Sequence, residues 1–149
     1  MEIKQFLDDL KSKDKKIREK AVDSLAIAQN PDTIKQLEEV LLKDKESSVR
    51  RRAALALGRI ENEEACEALF KALTNDSDSE TRRNAAIALG HFGDERAILP
   101  LYEFYSAPKR NNFFENIDRA RVNLVLTELA QRKGIKTIEE LVEWKKQNQ

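Results

Sequence analysis

The chain has one histidine, His91, and one cysteine, Cys66, and these two side chains bound the chemistry it can offer. A metal centre needs several ligating groups converging on one point. A nucleophilic pair needs its base within hydrogen-bond reach. Cys66 precedes His91 by about twenty-five residues and lies among Ala65, Ala68 and Leu69 on an apolar helical face. That is the setting of a small buried hydrophobe, not of a thiolate. Gly58, Gly90, Gly93 and Gly134 are isolated and form no phosphate-cradling loop. Acid pairs such as Glu63-Glu64 and Glu139-Glu140 read as solvated surface, where nothing selects a general acid. No catalytic residue, metal ligand or cofactor is assigned, and the chain reads as a non-enzyme.

Carboxylates and guanidinium groups do recur at a fixed interval. Asp14/Arg18, Glu46/Arg50 and Asp78/Arg82 all keep a four-residue spacing. Their chemistry is either a row of anion-binding arginines or a ladder whose acids bridge neighbouring units through charge-assisted bonds. The acids recur with the arginines, which favours the ladder.

The elements that hold these groups come from a thirty-two-residue repeat. Val49-Arg-Arg-Arg-Ala-Ala-Leu-Ala-Leu-Gly-Arg-Ile60 aligns with Thr81-Arg-Arg-Asn-Ala-Ala-Ile-Ala-Leu-Gly-His-Phe92, and seven of the twelve positions are identical. Ile17, Arg18, Ala21 and Leu25 precede Val49, Arg50, Ala53 and Leu57 by the same interval. Apolar residues within each unit fall at helical spacing on two segments, a helix A (15–29, 48–60, 79–92) and a helix B (33–43, 63–74, 95–105). Asn30-Pro31-Asp32 and Gly93-Asp94 supply the stops and caps between them. The spacing predicts one domain over 1–149: a cap helix within 1–12, repeats over about 15–43, 47–75, 79–106 and 116–147, and an inserted loop at 106–115. Alanines along helix A are the means of close helix approach.

The Val49–Ile60 motif and Ala88-Leu-Gly-His-Phe-Gly-Asp-Glu-Arg-Ala-Ile-Leu-Pro-Leu101 closely resemble the short HEAT-like repeat of phycobilin lyases and small helical scaffold proteins. The resemblance is carried by 44–105, extends to 15–43 and fades over 106–149. It implies an all-α, right-handed α-solenoid of about four helix-pair repeats with an N-terminal half-repeat cap. It also implies that the B helices line the concave face. Iron-binding HEAT-like hydroxylases use several His-Glu pairs, whereas here Phe92 follows the single histidine.

On that face Phe70 and Tyr102 occupy matching positions, where the first unit has Glu38, with Leu99 nearby and Glu67, Lys71 and Glu103 around them. Aromatic groups ringed by charge suit protein recognition. Phe113 and Phe114, beside Lys109-Arg110, form a second candidate contact or else cover the seam where the register slips. The expected function is a protein–protein scaffold or adaptor working through the concave B-helix face. The alternatives are a subunit resembling the bilin lyases or a chromophore chaperone, and a nucleic-acid-binding array using the basic A helices. The balance of 27 basic against 27 acidic residues disfavours nucleic acid. No apolar run reaches membrane-span length and the first residues lack a signal-peptide stretch, so the expected location is cytoplasmic.

Overall fold

Capping chemistry sets where each helix begins and ends. The computed structural model describes residues 2–108 and 113–149, the side chain of Phe114 excepted. Its helices are α1 (Ile3–Asp9), α2 (Lys15–Ala28), α3 (Ile34–Lys43), α4 (Ser47–Ile60), α5 (Cys66–Asn75), α6 (Ser79–His91), α7 (Ile98–Ser106), α8 (Phe113–Arg132) and α9 (Ile138–Gln147). The described residues contain no strand. Asp14 accepts from the Lys16 amide and Asp78 from the Thr81 amide, starting α2 and α6. Gln29, Glu61 and Gly93, one repeat apart, turn the chain left-handed after α2, α4 and α6, with φ of 49°, 55° and 78°. Asn30, Asn62 and Asp94 follow and each accepts the amide two residues on, at 2.9, 3.0 and 3.0 Å, opening a short 3-10 turn into the next helix.

The core repeats with the sequence. Leu25, Leu57, Leu89 and Leu126 are fully buried along α2, α4, α6 and α8, and Leu37, Leu69 and Leu101 along α3, α5 and α7. The even helices pack side by side in a continuous row, α2 on α4, α4 on α6 and α6 on α8. Each odd helix lies along the even helix that follows it: α1 on α2, α3 on α4, α5 on α6, α7 on α8. The structural hairpins are therefore B-then-A, while the sequence reading pairs A-then-B. α1 completes the first hairpin, and α9 stands as a lone end helix against α7 and α8. The result is an α-solenoid. None of its described helices is long and apolar enough to cross a membrane.

The small residues of the even row explain its closeness. A Cβ added at Gly58 would meet the Ala88 Cβ at 3.1 Å, and one at Gly90 would overlap Val125 Cγ1. Longer side chains such as Leu37, Phe70 and Tyr102 fill the odd row. A groove opens along this even row.

Candidate interaction surfaces

The groove follows from repeat positions on the even helices. Asp23, Leu55 and Ile87 fall at one position, and Ile27, Arg59 and His91 at another, one turn further on. All six line a groove of about 1070 Å3 that also takes in Arg121, Glu128 and Arg132 of α8. Ile87 is buried in its floor and Leu55 half-buried, while Ile27 is 75% exposed. Leu124, between Arg121 and Glu128 on the sequence of α8, is 56% exposed. Charges of both signs surround this apolar strip. The sequence reading missed it because these residues look like ordinary variation on a solvated face. Their common repeat position is the signal that could have found them.

Along the turn edge runs the arginine ladder, with other acids than the sequence spacing indicated. Arg18 donates through Nε and Nη2 to both oxygens of Asp44, at 2.8 and 3.1 Å. Arg50 grips Asp76 in the same way, at 2.9 and 3.1 Å. Arg50 Nη1 also donates to the Asp44 carbonyl (2.8 Å) and Arg82 Nη1 to the Asp76 carbonyl (2.7 Å), so each aspartate joins two successive arginines. The bonds to Asp44 and Asp76 push both guanidinium pKa values upward against burial. Asp14, Glu46 and Asp78 occupy N-cap positions instead, and Asp14 and Asp78 spend carboxylate oxygens on helix amides. Burial alone would raise the Asp78 carboxyl, but bonds from Thr81 and the charges of Arg51 and Arg50 hold it below its usual value. Asp44 and Asp76 stand one repeat apart in the sequence; their partners lie 26 residues earlier, a reach that only the folded hairpin reveals.

Other A-helix arginines are paired across the row. Arg52 bonds Asp23, Arg51 bonds Glu80 and lies 3.4 Å from Asp78, and Arg83 lies 2.7 Å from Asp118. These pairs leave few of the helix A guanidinium groups open to phosphate. Arg119 stands at the ladder position of α8, as far before Leu126 as Arg82 is before Leu89, and holds the C-terminal turn through the carbonyls of Tyr105, Ala107 and Pro108 and through Glu115.

A family model described as HEAT repeats matches the chain over residues 3–57 and 34–111. The chain belongs to the HEAT repeat family. The two matches begin at the first residues of α1 and α3, in phase with the HEAT hairpins seen in the packing. HEAT repeats generally mediate protein interactions, and the match reaches that level and no finer subgroup. A comparison with curated proteins found no match.

On the odd-helix face of this HEAT array, Glu67, Lys71 and Glu103 are exposed, and Phe70, Tyr102 and Leu99 are half-buried. Arg96 lies over the Phe70 ring at 4.2 Å, held by Asp94 (2.8 Å) and Glu67 (3.0 Å). The bond to Asp94 leads the forces that raise the Arg96 pKa. Tyr102 meets Tyr105, with ring centres 6.2 Å apart. Glu38, the first unit's counterpart, has its carboxyl pKa raised by burial and by the nearby Glu64. Cys66 is half-buried, and burial pushes its thiol up, away from the thiolate form. Phe113 begins α8 at 72% exposure; Lys109, Arg110 and the Phe114 side chain fall outside the described residues.

Proposed function

We propose that this chain is a non-enzymatic interaction module that holds a segment of a partner protein in the groove across α2, α4, α6 and α8. One observation carries the reading: Ile27 stands exposed, beside a half-buried Leu55, in a broad groove flanked by charges of both signs. The second reading places the partner on the odd-helix face, against Phe70, Tyr102 and Leu99, with Glu67, Lys71 and Glu103 setting its charge preference. Its support is the Tyr102–Tyr105 pair. Against it, Arg96 already covers a face of Phe70.

The test is a binding measurement on a partner first captured from the native cell extract. Ile27→Glu with Arg59→Glu, both exposed positions, should weaken binding by about tenfold or more, roughly 1.4 kcal/mol, with helicity unchanged. Phe70→Ala with Tyr102→Ala should leave it within about threefold. The reverse pattern would move the site to the odd-helix face. Full affinity in both folded variants would remove both surfaces.

A further inference from the structure

The ladder loses its acid at the third arginine. In the first two rungs the acid lies 26 residues after the arginine and is gripped through Nε and Nη2, while Nη1 holds a carbonyl of the preceding turn. Arg82 keeps that carbonyl bond, to Asp76 at 2.7 Å. The residue 26 places after it is Pro108, which has no carboxylate to give. Among the described residues no acid bonds the Nε and Nη2 edge of Arg82. The nearest acids in sequence are already engaged, Glu80 with Arg51, Asp78 with Thr81 and Arg51, and Asp76 with Arg50. Pro108 contributes only its carbonyl, and that goes to Arg119.

A half-buried guanidinium fixed at Nη1, with no acid on its two-pronged edge among the described residues, matches the geometry of a carboxylate. The same edge carries a bidentate carboxylate in both preceding rungs, so the array itself shows which ligand it fits. We propose that the Nε/Nη2 edge of Arg82 is a carboxylate-binding site that takes an acidic side chain or a free C-terminal carboxylate from a partner protein. The partner as source rests on the interaction-module reading; the receptor does not, and it lies on the turn edge, apart from the groove.

The experiment follows the arginine Nε–Hε resonances of the whole protein by nitrogen-15 NMR, with sodium acetate as the first probe at constant ionic strength. Arg82 should shift saturably while Arg18 and Arg50, whose edges are occupied, stay in place. Pro108→Asp supplies the missing acid within the protein. It should slow solvent exchange of the Arg82 Hε by about tenfold or more, abolish the acetate response and raise the melting temperature. Arg82→Lys keeps the charge without the two-pronged edge and should lose the response.

Blocked tripeptides then separate the sources: Gly-Asp-Gly with both ends blocked against Gly-Gly-Gly with a free C-terminus. A response to either supports the site and names its ligand. The proposal is overturned if acetate moves none of the three arginines or all of them alike, or if Pro108→Asp leaves Arg82 exchange unchanged. Inorganic phosphate acting more strongly than every carboxylate probe would overturn the ligand class. Loss of partner binding in the groove variant alongside an intact acetate response would count against the groove alone.

Discussion

Asp76 does three things at once. Its carboxylate pairs with Arg50, one of the same oxygens accepts the Asp78 amide, and its carbonyl accepts from Arg82. The ion pair is nearly dry, with side-chain exposures of 12% for Arg50 and 6% for Asp76. Removing the acid strands a buried cation, which costs about 3–5 kcal/mol. Asp76→Ala should therefore lower unfolding stability by about that amount in urea titrations. Asp14→Ala, which removes only a cap bond, should cost about 1 kcal/mol. Equal losses would refute Asp76 as the ladder acid. The sequence shows both sets of aspartates at the repeat interval. A four-residue spacing invites pairing within a helix, but an acid at the N-cap faces free backbone amides and is drawn to them first. The arginines of the ladder were legible; their partners were not, because a 26-residue reach exists only once α3 has folded back along α4.

At the level of helices, spacing along the even row is set by what stands opposite each glycine. A methyl at Gly90 would run into the stiff, buried side chain of Val125 and approach Leu101 Cδ1 at 3.2 Å. Gly90→Ala should thus destabilise by about 1–3 kcal/mol through overpacking, despite the better helix propensity of alanine. At Gly58 the nearest atom is the Ala88 Cβ at 3.1 Å, so a shift of tenths of an ångström suffices. There the propensity gain of about 1 kcal/mol should leave stability nearly unchanged. Thermal melts of the two variants check the contrast, and similar losses would mean that helix spacing is not what these glycines provide. Helix existence and caps such as Asn30 were readable because periodicity and capping are local; the start of α8 at Phe113 was not, since it falls inside the segment read as an inserted loop. The pairing of helices was not. A repeat read cyclically has the same period whether the unit begins at α2 or at α3, so nothing local states which neighbour an odd helix packs upon. The groove along the even row depends on that missing fact.

For the whole molecule, a stacked array behaves as a line of units whose stability is an intrinsic term plus the interfaces on either side. α6 packs against α4, α5, α7 and α8 and buries a run from Asn84 to Gly90. α4 has neighbours on both sides and a closed ladder rung to the next turn. The ends differ. α1 has no buried residue and packs chiefly on α2, while α9 rests on α7 and α8 with Leu141 and Val142 buried. The C-terminal side also lacks the carboxylate of the third rung. Opening from the ends should consequently cost less than opening the middle. Amide hydrogen exchange should be slowest in α4 and α6, faster in α7, α8 and α9, and fastest in α1. Because Pro108→Asp adds a bond between α6 and the end of α7, it should slow exchange in α7 and α8 and leave α2 as it was. If every helix exchanged at one common, global rate, the protein would be unfolding as a single globular unit. A stability gradient along the array could then not be the reason that its ends and its middle differ.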